Sequence, residues 1–498
     1  MAVDTSRNLY AILGVHPEAT PDDIREAYRI AARRFHPDAN PNEGAGLQFR
    51  DIAAAYEVLG NPQRRYSYDD ARRAAANNDV QYFTLRVTPS KRVLSVLDEP
   101  QVLYLLLEIS PMRDAAKLKK RDVPLNLTLV LDRSKSMRGM RLEKLKIAAH
   151  QIIEGLSEAD RLAIVSFSDR SEVLIPAGPV TDKMALRAQV NLMRADGGTE
   201  IFYGLQAGLE EVRKNLSDRF VNHVILLTDG RTYGGEERCM ELAEKANEEG
   251  IGISAMGIGE EWNDEFLDAL ASRTGGTSAY INSPNAVVRF LNERVRSLGD
   301  TLVERLKLVV APDADIEVES LFKLQPNPQP VDTSPQPIPL GSLEFTRTLS
   351  CLVQLQMPPS TRVGFRTVAR ISVSGNVLVA EQQAYEVLSD ISVEISDNPP
   401  PEEPPLPILD ALGKLTLYRI QEKAQQSLQA GNVAEATRRL ENLATRLLAS
   451  GQDDLAQMAI IEARRVASTN LLSEEGRKTL KFGTRLLLSQ PDPKENGQ

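Results

Sequence analysis

The apolar positions change their period along the chain, and each change predicts a different kind of element. From Pro21 to Phe35, Ile24, Ala27, Tyr28, Ala31 and Phe35 recur at helical spacing, with Asp22 and Asp23 in the first turn, where carboxylates suit the helix dipole. A second helical pattern runs from Leu47 to Leu59 through Phe49, Ile52, Ala53 and Tyr56 and stops at Gly60, Asn61 and Pro62. The two predict an antiparallel hairpin. Runs rich in β-branched residues follow at Phe83 to Val87, Lys91 to Val96 and Gln101 to Ile109, and again at Leu306 to Val310, Ile316 to Val318, Ser350 to Gln356, Thr367 to Val373 and Ala384 to Val387. Between these flanks the chain alternates short aliphatic strands (Leu125 to Leu131, Leu162 to Phe167, Glu172 to Ile175, His223 to Leu227, Gly252 to Met256, Thr277 to Ile281) with amphipathic helical stretches, as an open α/β sheet covered on both faces does. From Ile408 the spacing turns helical again, with Gly431 and Gly451 at the expected turns.

These patterns predict a multidomain chain. An all-α module occupies 1–75, and a doubly wound α/β domain occupies 124–298. The two flanks, 80–123 and 299–396, are each too short to stand alone, so they are expected to combine into one β-sandwich with the α/β domain inserted in it. A proline-rich, acidic linker at 397–407 leads to a C-terminal α-helical bundle at 408–490, and 491–498 is expected to be a disordered tail. Pro326 to Pro339, also proline-rich, reads as a surface loop.

Length and charge narrow the picture. At 498 residues, and roughly 100 to 200 residues per domain, several cores are needed. The net charge of -10 disfavours nucleic acid as the main partner, because a phosphate backbone needs a positive surface. No apolar run reaches the ~20 residues of a membrane span, and the first residues lack the basic and apolar regions of a secretory signal. A cytoplasmic location is the resulting expectation. Cys239 and Cys351 lie too far apart in sequence for a disulfide framework or zinc-ligand spacing, so both are expected to be reduced core thiols.

The polar side of the first long helix carries Arg25, Arg29 and Arg33 at four-residue intervals, with Arg34 beside them. A charge run alone usually marks a solvated face. Here it leads into His36-Pro37-Asp38, where proline ends the helix and biases His36 towards an extended conformation. With Tyr10-Ala11-Ile12-Leu13-Gly14-Val15, Ala27-Tyr28-Arg29, Ala55-Tyr56-Glu57-Val58-Leu59, Arg64-Arg65-Tyr66 and Tyr68-Asp69, this segment resembles the J-domain family from about Asn8 to Asp70. The resemblance implies that Arg25, Tyr28, Arg29, His36, Pro37, Asp38, Asn40 and Phe49 contact a DnaK-type heat-shock ATPase and trigger its ATP hydrolysis. Ile30 and Ala39 depart from the family, which often carries further basic residues there.

Three polar clusters are expected at the carboxyl ends of α/β strands, where ligands of such sheets bind. They are Asp132-Arg133-Ser134-Lys135-Ser136, Gly197-Gly198-Thr199 and Thr228-Asp229-Gly230. Any one alone would read as a turn or helix cap. Together they resemble the metal-ion-dependent adhesion site of von Willebrand factor A (vWA) domains, over about Pro124 to Leu298. That resemblance implies Ser134, Ser136 and Thr199 as direct ligands, and Asp132 and Asp229 as ligands acting through water or hydroxyls. Hard oxygen donors of this kind suit Mg2+, with Mn2+ or Ca2+ as alternatives. Lys135 stands where vWA domains commonly have glycine.

The expected function is therefore that of a co-chaperone. Its J-domain stimulates a DnaK-type ATPase, while the vWA site recruits a client or assembly partner that presents a carboxylate to the metal. The alternative is a vWA-based adhesion or scaffold protein that uses the J-domain only as a docking adaptor. No histidine or carboxylate pair accompanies the metal clusters to act as a hydrolytic base, so catalysis is not expected.

Overall fold

The structure, a computed structural model, describes residues 8–75, 81–112, 123–232, 234–379 and 384–489; the expected tail at 491–498 lies outside them. The chain divides into two units, one drawn from 1–121, 301–323 and 330–408, the other from 122–300, 324–329 and 409–498.

The first unit begins with helices α1 (Leu9–Leu13), α2 (Pro21–Phe35), α3 (Glu43–Leu59) and α4 (Pro62–Ala75). Helix α2 starts where it does because Thr20 and Asp23 form a capping box, each side chain accepting from the other's backbone N–H, and Pro21 is preset for the first helical position. Its buried Ile24, Ala31 and Phe35 pack on Ile52, Ala55 and Leu59 of α3, so the predicted hairpin forms. Helix α3 begins at Glu43, a full turn before the expected Leu47. Gly44 and Gly46 weaken the local helix signal there.

Strands β1 (Phe83–Pro89), β2 (Val93–Ser95) and β3 (Gln101–Pro111) combine with β10 (Thr301–Pro312), β11 (Glu317–Gln325), β12 (Gln329–Val331), β13 (Ile338–Glu344), β14 (Leu349–Met357), β15 (Gly364–Val377) and β16 (Ala384–Ser396) into two five-stranded sheets, ordered β1-β3-β14-β11-β12 and β13-β10-β15-β16-β2. Leu103, Leu105 and Leu107 share one core with Leu308, Val353, Ile371 and Val373, which makes the pair of sheets a sandwich built from both flanks. Pro326 to Pro339 is not simply a surface loop: it contains β12 and the start of β13, with Gln329, Val331 and Ile338 buried. Both strands are edges of their sheets, where a residue without an N–H is tolerated.

The helices of this unit pack directly on the sandwich, and Ala311 of β10 belongs to their core. Gln48 Nε2 donates to Ser372 Oγ at 3.2 Å, and Arg370 Nη1 donates to the Ile12 carbonyl at 2.7 Å. Arg34 bonds Asp313 at 2.6 Å and Asp390 at 3.4 Å, so it does not belong to an exposed basic stripe. A Cβ on Gly44 would lie 2.2 Å from the Val310 carbonyl oxygen, a backbone atom that cannot rotate away. Gly44→Ala is therefore expected to destabilise this unit by about 1–3 kcal/mol, the usual cost of overpacking, read from a lowered urea midpoint; an unchanged midpoint would mean the helices are not seated on β10.

The second unit centres on a six-stranded sheet. Its strands are β4 (Leu125–Asp132), β5 (Arg161–Phe167), β6 (Ser171–Pro179), β7 (Val221–Thr228), β8 (Gly252–Ile258) and β9 (Ser278–Ile281), ordered β6-β5-β4-β7-β8-β9, with only β6 antiparallel to its neighbour. Helices α5 (Met140–Gly155), α6 (Lys183–Asn191), α7 (Ile201–Arg213), α8 (Glu236–Glu249), α9 (Asp264–Ser272) and α10 (Pro284–Gly299) connect the strands. Every residue of β4 and β7 is buried, as a parallel sheet covered on both faces requires. The C-terminal region is four helices: α11 (Leu406–Gln429), α12 (Val433–Ala449), α13 (Asp453–Thr469) and α14 (Glu474–Leu487). Gly431 (φ 78°) and Gly451 (φ 71°) supply the left-handed residues that end α11 and α12. Among the described residues no helix is long and apolar enough to cross a membrane.

Candidate functional site

The residues of the J-domain-like turn and those of the polar clusters form two sets, each lying within one unit. In the first, α2 ends at His36, whose ψ of 132° turns the chain out of the helix. The His36 carbonyl accepts from Ala39 N at 2.9 Å and Asn40 N at 2.8 Å, closing a tight turn with Pro37 and Asp38 at its tip. The Asp38 side chain is 92% exposed. The His36 ring packs edge-on against Phe49 at 5.1 Å, while its Nδ1 accepts from Asp38 N at 3.2 Å. Phe49 thus braces the turn, and Tyr28 stacks on Tyr56 at 4.1 Å. Arg25, Arg29 and Arg33 are exposed along the same helix, Arg25 beside Asp22 at 3.0 Å. Asn40 is different. It is buried, and its amide donates to the carbonyls of Pro312 (2.9 Å) and Arg34 (3.3 Å), which makes it a tie to the sandwich.

The second set converges at the carboxyl ends of β4 and β7. Asp132 closes β4 and Thr228 closes β7, while Thr199 stands two residues before α7, next to its N-cap Glu200. Asp132, Ser134, Thr199 and Asp229 are all buried, and Ser136 is exposed. The Asp132 carboxylate accepts from Ser134 N at 2.8 Å and Thr228 Oγ1 at 2.6 Å, both neutral donors. Burial pushes its pKa up to about 6, the hydrogen bonds from Thr228 and Ser134 only partly offsetting it. Ser134 Oγ and Ser136 Oγ are 2.9 Å apart, and Asp229 Oδ1 accepts from Ser136 Oγ at 2.6 Å. A Cβ on Gly230 would touch Thr199 Oγ1 at 3.0 Å, which places the threonine hydroxyl against the β7 loop. Asp132, Ser134, Ser136 and Asp229 therefore form one oxygen cluster with two buried carboxylates, and Thr199 lies against the loop that carries Asp229. Asp132, a buried carboxylate with only neutral donors, beside the hydroxyls of Ser134 and Ser136, fits a hard divalent cation. Lys135 is exposed, and its backbone N–H donates to the Gly197 carbonyl at 3.1 Å, so its side chain is not committed to the cluster.

Sequence spacing gave no sign of two features. Arg141 Nη1 bonds Asp229 Oδ2 at 2.6 Å, a contact that only the β4–α5 turn creates. On α14, Arg477, Lys478, Lys481 and Arg485 read as an ordinary charged helix face, yet the last three are buried. Arg477 and Lys481 bond Asp264 at 2.6 and 2.5 Å, while Arg485 and Lys481 bond Asp268 at 2.5 and 2.9 Å. Lys478 donates to the Glu260 and Trp262 carbonyls and lies over the Trp262 ring. The remaining histidines have internal partners: His223 is buried against Ser254 Oγ at 2.9 Å, His150 lies 3.3 Å from the Arg187 carbonyl, and His16 Nδ1 accepts from Glu18 N at 3.3 Å. Cys239 and Cys351 are buried free thiols, and burial pushes both up to about 12.

Comparison with known proteins agrees with this anatomy. The DnaJ domain family matches residues 8–69, the von Willebrand factor type A domain family matches 126–293, and the Sll0103-like, C-terminal alpha-helical domain family matches 406–490. The Synechocystis sp. protein sll0103 is 29% identical over 392 residues, covering 76% of this chain and 92% of that protein. The Methanosarcina thermophila chaperone protein DnaJ is 44% identical over 73 residues, but these are 15% of this chain and 19% of that chaperone. Among solved structures, a von Willebrand factor type A protein from Catenulispora acidiphila superposes with a TM-score of 0.65 at 16% identity, covering 82% of this chain and 97% of its own, a likeness of fold. The chain thus joins a DnaJ domain at its N-terminal end to a von Willebrand factor type A domain, followed by a four-helix C-terminal region.

Proposed function

We propose that the protein is a J-domain co-chaperone that stimulates the ATPase of a DnaK-type chaperone and recruits a client or assembly partner through its vWA domain. The observation that carries this reading is the His36-Pro37-Asp38 turn, which stands free at the end of a helix whose exposed face is arginine-rich. A protruding carboxylate beside guanidinium groups can form charge-assisted hydrogen bonds, stronger than neutral ones, with a partner of mixed charge. Arg25, Tyr28, Arg29, His36, Pro37, Asp38 and Phe49 serve this contact, directly or by bracing the turn; Asn40 instead holds the turn to the sandwich. The protein works in the cytoplasm and catalyses no reaction of its own. ATP turnover by a DnaK-type chaperone, with and without the full chain, is the test. No acceleration would end the co-chaperone reading and favour the adhesion or scaffold alternative.

Recruitment is assigned to the oxygen cluster. Ser134, Ser136 and Thr199 would hold a Mg2+ ion directly, with Asp132 and Asp229 behind them. When bound, the ion supplies an electrophilic position for a carboxylate of the partner. Ser134→Ala is expected to abolish Mg2+-dependent partner capture while leaving the thermal midpoint within a few degrees. Undiminished capture by this variant would move recognition to another surface.

A further inference from the structure

We infer that Arg141 is a built-in competitor of the metal: its guanidinium neutralises Asp229, and a divalent cation binding in the cluster must weaken or displace that contact. The inference rests on the proposed metal reading of the oxygen cluster and concerns how that site is regulated.

The placement of Arg141 runs against local electrostatics. It is the second residue of α5, and a cation in the first turn of a helix faces the positive end of the dipole. A tertiary contact has to compensate. Arg141 Nη1 lies 2.6 Å from Asp229 Oδ2, and the Asp229 side chain is 0% exposed. The same nitrogen lies 3.4 Å from the Ser136 carbonyl, so the guanidinium spans a carboxylate and a backbone group of the same cluster. The opposite wall is also fitted to it. Gly259, in left-handed backbone at the end of β8 (φ +71°), leaves a gap in which a Cβ would lie 2.9 Å from Arg141 Nη2. The guanidinium therefore has a seat made by three separate segments of the domain.

The contacts of Asp229 set the two cations in competition. Its Oδ1 already accepts from Ser136 Oγ at 2.6 Å, and its Oδ2 is taken by Arg141. A divalent ion in the cluster would draw on the same carboxylate while placing two positive charges next to the guanidinium. The two cations repel each other and compete for one buried carboxylate, so metal entry and the Arg141 contact are antagonistic. The Arg141 side chain is 36% exposed, which leaves it a path to solvent on release. Metal affinity is thereby held low, and occupancy follows the free divalent-ion concentration.

The test titrates MgCl2 into the chelator-treated full chain by isothermal titration calorimetry. Arg141→Ala is expected to tighten Mg2+ binding at least about tenfold, the scale of one hydrogen bond between charged groups. Arg138→Ala, which removes one charge from the same exposed turn, is expected to change it less than about twofold, as screened surface charges do. Binding by Arg141→Ala alone, with none by the wild type, also supports competition. Equal affinities for wild type and Arg141→Ala, or equal tightening by both variants, would overturn the inference while leaving the metal site standing. No binding by any of the three chains would remove the metal reading and this inference with it. If the alanine variant does not fold, Arg141→Gln keeps the stem and a neutral donor and is judged by the same outcomes.

Discussion

Replacing His36 with glutamine in the full chain is expected to return the ATP turnover of a DnaK-type chaperone from a stimulated to its unstimulated rate. The structural reason is local. The imidazole does two things that an amide side chain cannot do together: it packs edge-on against Phe49 at 5.1 Å and accepts from Asp38 N at 3.2 Å through Nδ1. Both fix the direction in which Asp38 projects, and hydrogen bonding to a partner depends steeply on that direction. The fold itself should barely change, because the residue is about half exposed and the lost ring contact contributes no more than about 1.5 kcal/mol. The decisive comparison is steady-state turnover at saturating co-chaperone, alongside a thermal melt of each protein. Full stimulation by a well-folded variant would remove the turn from the mechanism. Loss of stimulation with a large fall in the melting midpoint would point to unfolding instead.

The second large effect is expected on stability. Asp268→Asn should destabilise the second unit by about 3–5 kcal/mol, the cost of removing one partner from a buried ion pair. Asp268 takes Arg485 at 2.5 Å and Lys481 at 2.9 Å, and the neutral amide would leave the buried Arg485 with a much weaker acceptor. Burial by itself would raise the Asp268 carboxyl, but the charges of Arg485 and Lys481 outweigh it and hold the group far below the usual carboxylate range. Asp264 is likewise held low, burial being outweighed by Arg477 and Lys481. The pH sign follows from those directions. A carboxylate whose folded pKa lies below its unfolded value of about 3.9 contributes stability in full above that value and loses it as pH falls through the folded pKa. Urea midpoints should therefore fall below about pH 4 in the wild type, and the fall should be smaller in Asp268→Asn. Hydrogen exchange along α14 reports the same event locally. A stability loss under about 1 kcal/mol, with α14 still protected, would mean that apolar packing alone holds the helix.

The cluster on α14 also shows why a charged stripe is ambiguous in sequence. Lys478, Lys481 and Arg485 have the spacing of a solvated face, yet they lie against α9. Their partners, Asp264 and Asp268, occur some 210 residues earlier and show no pattern of their own beyond the first turn of a short helix. Arg34 presents the same problem on a smaller scale. It stands beside a basic stripe that is exposed, while its own guanidinium is committed to Asp313 and Asp390. Asn40, two residues beyond an exposed aspartate, is turned inward to the Pro312 carbonyl. In each case the deciding contact lies hundreds of positions away, and neither period nor local propensity carries information over that range.

Sequence alone determined most of the elements and the resemblance of two modules to DnaJ and von Willebrand factor A domains. Helix α2, its capping box and its proline stop are written in consecutive residues, because capping and backbone restriction act over three or four positions. The continuous aliphatic runs of β4 and β7 likewise state that both faces of the sheet are covered. Tertiary structure decided the rest: that the helical module is seated on the sandwich through Gly44 and Asn40, that Arg141 closes on Asp229, and that α14 is fastened by buried ion pairs. These are close contacts between distant segments. Their strength depends on desolvation and on distances of a few ångströms, which a linear pattern does not specify.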